Sequence, residues 1–349
     1  YIPANFKYLV SIQGIYNLRE TLIGIAGMLL LMEACRRVVG LPILIIVSIF
    51  LLYTLYGHVI PLNNILHHRQ ISLGRAINHM FFTTEGIFGT PIGVSATFIF
   101  LFILFGAFLE KTGVGRMFID LANAVAGKRI GGPAKVAVIS SALQGTVSGS
   151  SVANTVGTGS FTIPAMKRLG YKPEFAGAVE AAASTGGQIM PPIMGAAAFL
   201  MAEITGNTYG RIVLSAVIPA ILYFSGIFMS VHHEARKLGL VGMDPSEVPV
   251  LKTIIKERGH LLIPLAFMIY LLSSRLTPTY AALGAILTSL IAHSIGYWSL
   301  LPVAFMIVGL NTGLAISYCA LGAIGIWLVV CAIRRNLGFE LREIPEALS

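Results

Sequence analysis

The chain has 349 residues, of which 56% are hydrophobic and only 11% are charged, and its mean hydropathy is +0.81. Soluble domains carry about 25% charged residues, so this composition indicates a protein that resides in a lipid bilayer. The net charge of +9 lies in short clusters between apolar runs, as in the cytoplasmic loops of membrane proteins. This arrangement argues against a nucleic acid partner.

Apolar runs predict an all-α polytopic membrane protein, since a membrane-spanning helix needs about 20 apolar residues. In chain order, spans are predicted at 42–59, 93–109, 212–231, 261–272 and 281–295, followed by a longer apolar region at 300–333. Arg19–Glu33 is shorter and has charged ends, which suits a tilted or interfacial helix.

Two further segments lie outside these spans. Ser72–Thr84 mixes polar and apolar residues at helical spacing, which is typical of a helix that lies along the membrane surface. Leu238–Arg258 is the longest polar segment, and we expect it to form an extramembrane linker. Asp244-Pro245-Ser246 predicts a helix start within this linker.

The stretch between Lys135 and Lys167 contains 31 uncharged residues. As one helix it would be about 46 Å long, too long for one upright span and too short for two. Its centre, Ser148–Ser151, divides it into arms of about 13 residues, or about 20 Å each. A re-entrant hairpin over 134–165 keeps all of its basic flanks on the cytoplasmic side, as the positive-inside bias requires. These flanks are Lys128, Arg129 and Lys135 on one side and Lys167, Arg168 and Lys172 on the other.

A second segment, 175–203, predicts a broken transmembrane helix. Gly186-Gly187 and Pro191-Pro192 lie at its centre, and proline both lacks an N–H and disfavours helix in the residue before it. Irregular backbone at membrane depth is tolerated only where it is buried in protein or lines a wet cavity. Discontinuous helices near the midplane are typical of ion and solute sites in transporters, whereas small residues alone also serve close helix packing.

Other motifs give no indication of an enzyme, a cofactor or a metal site. SGSSVANTVGTGS lacks the Lys-Ser/Thr ending of a phosphate loop, and the serines lack a G-x-S-x-G context. The His67-His68 and His232-His233 pairs are consecutive, so their side chains point in different directions on a helix. The three cysteines have no metal or redox spacing.

Glu180 lies six residues before Gly186, at the start of the broken helix. One interpretation is an interfacial carboxylate paired with Arg168 or Lys172. The other is a buried carboxyl group that carries a proton during transport, because an ionisable residue near membrane depth is a functional candidate.

Several long stretches resemble one known family. GTVSGSSVANTVGTGSFTIPAMKRLGYKPEFAGAVEAAASTGGQIMPPIMGAAAF resembles the large membrane subunit of tripartite ATP-independent periplasmic (TRAP) transporters, particularly permeases paired with TAXI-type binding proteins. RETLIGIAGMLLLMEACRRVVGLP, TTEGIFGTPIGVSATFIFLFILFGAFLEKTG and HHEARKLGL resemble the same permeases, and together the match covers roughly 19–275.

The resemblance implies an elevator-type transporter that takes up organic acids with an ion gradient, in a bacterial or archaeal inner membrane. It implies a periplasmic TAXI-type solute-binding protein and a small membrane subunit, separate or fused, as partners. Sodium is the implied coupling ion, with protons as the alternative. The implied ion-binding residues are Ser148, Gly149, Ser150, Ser151 and Asn154 of the hairpin and Gly186, Gly187, Gln188, Ile189, Met190, Pro191 and Pro192 of the facing unwound helix.

The resemblance predicts three regions: scaffold spans with an arm helix at 1–90, a transport-domain half at 91–206, and further spans at 207–349. Family members carry a second, inverted half with its own broken hairpin, and no such segment is recognisable at 276–349. This departure leaves two alternatives open, a non-transporting scaffold subunit that retains the hairpin fold and a passive channel.

Overall fold

The computed structural model describes residues 1–11, 17–61, 64–274, 276–312 and 315–336. Every regular element in these ranges is helical. The chain divides into two compact units, Tyr1–Val94 and Ser95–Ser349. The predicted region 207–349 extends into 337–349, which lies outside the described residues.

The first unit contains five α-helices: α1 (Phe6–Ser11), α2 (Leu18–Val38), α3 (Leu41–Tyr56), α4 (Leu73–Phe82) and α5 (Thr90–Val94). Helix α2 is longer than the predicted Arg19–Glu33 and packs against α4. Glycines of α2 make this approach possible, because a Cβ at Gly24 would lie 2.5 Å from Ile77 Cγ2 of α4.

The second unit continues the helical chain with twelve described α-helices. They are α6 (Phe100–Lys111), α7 (Val114–Ala126), α8 (Gly132–Ser148), α9 (Ser151–Leu169), α10 (Pro173–Thr185), α11 (Ala196–Thr205), α12 (Tyr209–Lys237), α13 (Leu251–Arg258), α14 (Ile263–Ser273), α15 (Pro278–Ile295), α16 (Leu300–Asn311) and α17 (Ile316–Asn336). A π-helical turn, Ser95–Ile99, precedes α6. The apolar region predicted at 300–333 thus forms two helices, α16 and α17.

Three helical segments among the described residues are long and apolar enough to cross a membrane: Leu41–Val59, Thr90–Lys111 and Tyr209–Lys237. Each contains one of the predicted spans, so the all-α membrane class is confirmed. Because these spans are α-helical, their backbone hydrogen bonds are made within each span, which is the condition for stability in lipid.

Helices α8 and α9 form a helical hairpin joined by Gly149 and Ser150. Its arms have 17 and 19 residues, about 25 and 28 Å at the α-helical rise, so the predicted arms of about 13 residues were too short. Helix α8 begins earlier than predicted, at Gly132, with Pro133 in the first turn, where proline is favoured, and α9 continues through its basic last turn to Leu169.

Helices α8, α9, α10 and α12 share a core of mostly small side chains, which lets their backbones approach closely. Its fully or nearly buried members are Ala134, Ala137, Val138, Met166, Tyr171, Ala176, Val179, Ala183, Val231 and Ala235. A separate core, which includes Phe267, Ala281 and Met306, joins α14 to α17.

The predicted helix start at Asp244 is wrong. Asp244 Oδ1 accepts hydrogen bonds from the Ser246 backbone N–H at 2.9 Å and from Ser246 Oγ at 2.6 Å. The turn does not continue as a helix, because Pro249 disfavours the helical conformation at Val248. The helix in this linker begins at Leu251, just after Pro249.

Candidate functional site

The hairpin tip is shaped by one glycine and one serine. Gly149 has φ +57°, a left-handed conformation that strains residues with a side chain. Ser150 Oγ accepts a hydrogen bond from the backbone N–H of Ala153 at 3.3 Å and so caps α9. Ser148 Oγ donates to the Ser150 carbonyl at 3.5 Å. The predicted tip residues therefore form a compact turn with partly buried hydroxyls.

The broken helix faces this tip. Helix α10 ends at Thr185, a 3₁₀ turn covers Gly186–Gln188, and α11 begins only at Ala196. The interruption falls at the glycines and prolines that predicted it. The Pro191–Pro192 peptide bond is cis.

The hairpin and the broken helix touch backbone to backbone at two glycines. A Cβ at Gly145 would lie 2.5 Å from Gly187 Cα, which is closer than two nonbonded carbon atoms can approach. The Gln188 side-chain amide also donates to Ser151 Oγ at 3.1 Å. Hairpin residues and the Gly186–Gln188 turn thus share one site, whereas Ile189 and Pro191 make no hydrogen bond to the hairpin in the described part of the chain.

Asn154 of the hairpin forms hydrogen bonds to both the hairpin and the broken helix. Its side chain is fully buried, and Nδ2 donates to the carbonyls of Ser141 in α8 at 2.9 Å and Ser184 in α10 at 3.4 Å. These bonds orient the amide, which leaves Asn154 Oδ1 buried without a hydrogen-bond partner. An oriented amide oxygen is a ligand that hard cations accept. The C-termini of α8 and α10 add the negative ends of two helix dipoles to the same place.

Glu180 is completely buried and accepts hydrogen bonds from four hydroxyl groups. Ser141 Oγ, Thr158 Oγ1 and Ser184 Oγ lie 3.2, 2.5 and 3.0 Å from Oε1, and Thr162 Oγ1 lies 2.5 Å from Oε2. We call this set of four side chains the hydroxyl cage.

Gly159 makes the cage possible. A Cβ at that position would lie 2.9 Å from Glu180 Cγ, so the absence of a side chain there gives the glutamate room between α9 and α10. The interpretation of Glu180 as an interfacial carboxylate paired with Arg168 or Lys172 is therefore wrong: no salt bridge involves Glu180 among the described residues, and the cage replaces a basic partner.

The hydroxyl cage could not be predicted from the sequence, because its hydroxyls come from three helices. Thr158 and Thr162, four residues apart on α9, were the available signal, since this spacing places both on one helix face. Nothing in the sequence indicated that this face meets Glu180.

A second missed feature is a cavity of about 680 Å³ beside the broken helix, lined by Pro192, Tyr209 and Arg211 among others. The buried Tyr209 hydroxyl lies 2.9 Å from the carbonyl of Pro192 and 2.5 Å from that of Ile193. It therefore attaches the start of α12 to the end of the break. Arg211 brings a guanidinium group, a strong partner for carboxylates, to this cavity.

The helices, the hairpin and the interrupted helix define a polytopic membrane protein with a discontinuous-helix site of the kind found in transporters. Residues 26–344 match the family described as Tripartite ATP-independent periplasmic transporter, DctM component, and the chain belongs to this family. The match continues past residue 275, where the region that carried the resemblance ends.

Several curated proteins are similar to the chain. It is 32% identical over 182 residues to the C4-dicarboxylate TRAP transporter large permease protein DctM of Pseudomonas aeruginosa, covering 52% of this chain and 42% of that protein. It is 28% identical over 238 residues to the protein of the same description in Rhodobacter capsulatus, covering 61% and 53%. It is 24% identical to the sialic acid TRAP transporter large permease protein SiaM of Vibrio cholerae, covering 56% and 46%. The chain thus spans about half the length of these relatives.

Proposed function

We propose that the chain is the permease, or a major part of it, of a secondary active uptake system for organic acids in the inner membrane. The contact between the hairpin tip and the broken helix carries this proposal, because it joins two helix C-termini and an unpartnered amide oxygen. Sequence similarity to permeases described for C4-dicarboxylates and sialic acid supports the solute class. A periplasmic binding protein of the TAXI type and a small membrane subunit are the proposed partners, and elevator motion is the proposed mechanism.

In the proposed topology α8 and α9 are re-entrant. A two-residue turn places the start of α8 and the end of α9 at the same end of the hairpin, so both basic flanks lie on one side. Arms of about 25 and 28 Å do not exceed a hydrocarbon core of about 30 Å. The basic end is then cytoplasmic and the tip lies within the membrane.

Sodium is the proposed coupling ion at the tip. Its ligands would come from Ser148, Ser150, the Asn154 amide oxygen and backbone carbonyls of 187–191. Oxygen ligands suit a hard cation.

Purified protein tests this assignment. The melting temperature in sodium chloride should exceed that in choline chloride, because a ligand that binds the folded state stabilises it. Ser150→Ala should reduce the difference between the two salts. Ser72→Ala, which removes the equivalent helix cap from α4, is the matched control and should leave the difference intact. Equal melting temperatures in both salts would rule out sodium at this site.

Glu180 is proposed to carry a proton, either beside sodium or in its place. Two of the cage hydroxyls have an alternative acceptor: Thr158 Oγ1 lies 2.8 Å from the Asn154 carbonyl and Thr162 Oγ1 lies 3.1 Å from the Thr158 carbonyl. These hydroxyls can donate to an ionised carboxylate or turn to the backbone and accept from a protonated one. The cage therefore suits both protonation states.

Infrared difference spectroscopy tests the proton role without a known solute. Reconstituted protein taken from alkaline to acidic pH should gain the carbonyl band of a protonated carboxyl group. The other carboxyl groups of the chain also contribute to this band, so Glu180→Gln should lack only the Glu180 component, because glutamine does not titrate. An undiminished band in the variant would show that only other groups titrate.

Uptake separates transport from the alternatives. Proteoliposomes with an imposed ion gradient should accumulate labelled succinate, a probe chosen from the solute class of the relatives, only when the periplasmic binding protein is added. Equal uptake without the binding protein would refute this dependence. Flux that does not saturate would indicate a channel, and no flux with the binding protein bound would indicate a scaffold.

A further inference from the structure

We propose that Thr162 connects Glu180 to a cavity at the basic end of the hairpin, and that protons reach and leave Glu180 through this threonine. This inference rests on the proposed proton-carrying role of Glu180. It adds the route and the membrane side to which the proton is delivered.

The cavity has a volume of about 260 Å³ and a mixed lining, in which five of the eleven residues have polar side chains. This volume accommodates several water molecules, and the polar groups supply the partners that ordered water requires. Its polar lining comes from Arg116, Asp120 and Asn123 of α7 and from Thr162 and Arg168 of α9. Asp120 is also paired with Arg258, at 3.0 Å, and the two side chains are partly exposed.

The position of the cavity gives the route its direction. Thr162 lies 12 residues after Ser150, which is about 18 Å along α9 from the tip. Arg168, in the last turn of α9, lines the same cavity. The cavity therefore lies on the side of Glu180 towards the basic end, which is cytoplasmic in the proposed topology.

Thr162 is the cage member that reaches this cavity. Ser141, Thr158 and Ser184 bond Oε1 of Glu180, whereas Thr162 alone bonds Oε2 and alone of the four lines the cavity. The two carboxyl oxygens thus face different surroundings, and Oε2 is the oxygen on the side of the cavity.

The hydroxyl of Thr162 can pass a proton without any change in its own composition. Release begins with the Glu180 Oε2–H bond breaking as a new O–H bond forms on Thr162 Oγ1. The original Thr162 hydroxyl proton leaves at the same time to a water molecule in the cavity. The products are an ionised Glu180, an intact threonine and a hydrated proton, and binding is the reverse. The 2.5 Å separation of Oγ1 from Oε2 is within the range for such a transfer.

Charged groups on the neighbouring helices do not compete for this proton. Helix α8 carries Lys135, whose Nζ contacts His232 Nδ1 of α12 at 2.9 Å. Tyr223 of α12 donates to the carbonyl of Ala182 at 2.7 Å. None of the titratable groups on α8, α9, α10 and α12 makes a hydrogen bond or ion pair with Glu180 in the part of the chain that is described. These groups are Lys135; Lys167 and Arg168; Glu174; and Tyr209, Arg211, Tyr223, His232, His233, Glu234, Arg236 and Lys237.

The rate at which the infrared carbonyl band of Glu180 appears after an acid step tests the route. In reconstituted Thr162→Val the band should appear at least about 100-fold more slowly. This factor is the lower end of the rate contribution of a positioned proton-transfer group. Thr162→Ser restores the hydroxyl and should recover most of the rate. Thr155→Val is the matched control, because Thr155 makes the same bond to the carbonyl four residues earlier on α9 but is not a cage member.

A second variant tests the route even if Thr162→Val does not fold. Ala165 lines the cavity, and a bulky thiol reagent on Ala165→Cys, in protein without Cys35, Cys319 and Cys331, should slow the band in the same way. Unchanged band kinetics in both Thr162→Val and the blocked protein would overturn the route. No band in the unmodified protein, or the same band in Glu180→Gln, would instead overturn the proton role, and the route with it.

Discussion

The contact between the two glycines of the candidate site can be tested with one added methyl group. Gly145→Ala places a Cβ 2.5 Å from Gly187 Cα, whereas nonbonded carbon atoms prefer about 3.5–4.0 Å. The hairpin and the broken helix must therefore separate by about 1 Å or more. Because the neighbour is backbone rather than a mobile side chain, we expect an overpacking cost of about 1–3 kcal/mol.

Gly177→Ala is the matched control for this substitution. Gly177 lies within α10, and a Cβ there would meet no atom within 4 Å. Both substitutions gain about 1 kcal/mol from the better helix preference of alanine, so this contribution cancels between them. Gly177→Ala should stabilise the protein, and Gly145→Ala should be less stable than Gly177→Ala by the overpacking cost of about 1–3 kcal/mol.

Unfolding in mixed micelles, followed by circular dichroism, measures this difference. The sodium-dependent gain in melting temperature should also fall in Gly145→Ala and persist in Gly177→Ala, since only the first variant separates the tip from the broken helix. Equal stability of the two variants would refute the close backbone contact, and an unchanged sodium effect in Gly145→Ala would refute its role in ion binding.

Two further predictions concern topology and the attachment of the break. Lys128→Cys and Lys172→Cys, each in protein without its native cysteines, should both react with a membrane-impermeant thiol reagent from the cytoplasmic side; reaction from opposite sides would exclude a re-entrant hairpin. Tyr209→Phe should cost about 1–3 kcal/mol in the same unfolding assay, because it leaves buried carbonyls at Pro192 and Ile193 without their donor. Tyr270→Phe removes an exposed bond to Asn311 and should cost less; an equal cost in both variants would contradict the importance of burial.

Features that depend on local composition and spacing could be predicted from the amino-acid sequence. Long apolar runs place the spans around 42–59, 93–109 and 212–231, because lipid sets the length of a helix that crosses it. Gly149 locates the hairpin turn, and the glycines and prolines of 186–192 locate the break, because each of these residues acts on its own backbone.

The contacts between distant residues could not be predicted in this way, because they depend on how the helices pack. The Glu180 cage joins Ser141, Thr158 and Thr162, which precede it by 39, 22 and 18 residues, and the space for it depends on Gly159 of another helix. The same holds for Arg211, which lies two residues after Tyr209 on α12 and lines the cavity beside Pro192. Helix periodicity shows which residues share a face, but the packing of one helix against another determines what that face contacts.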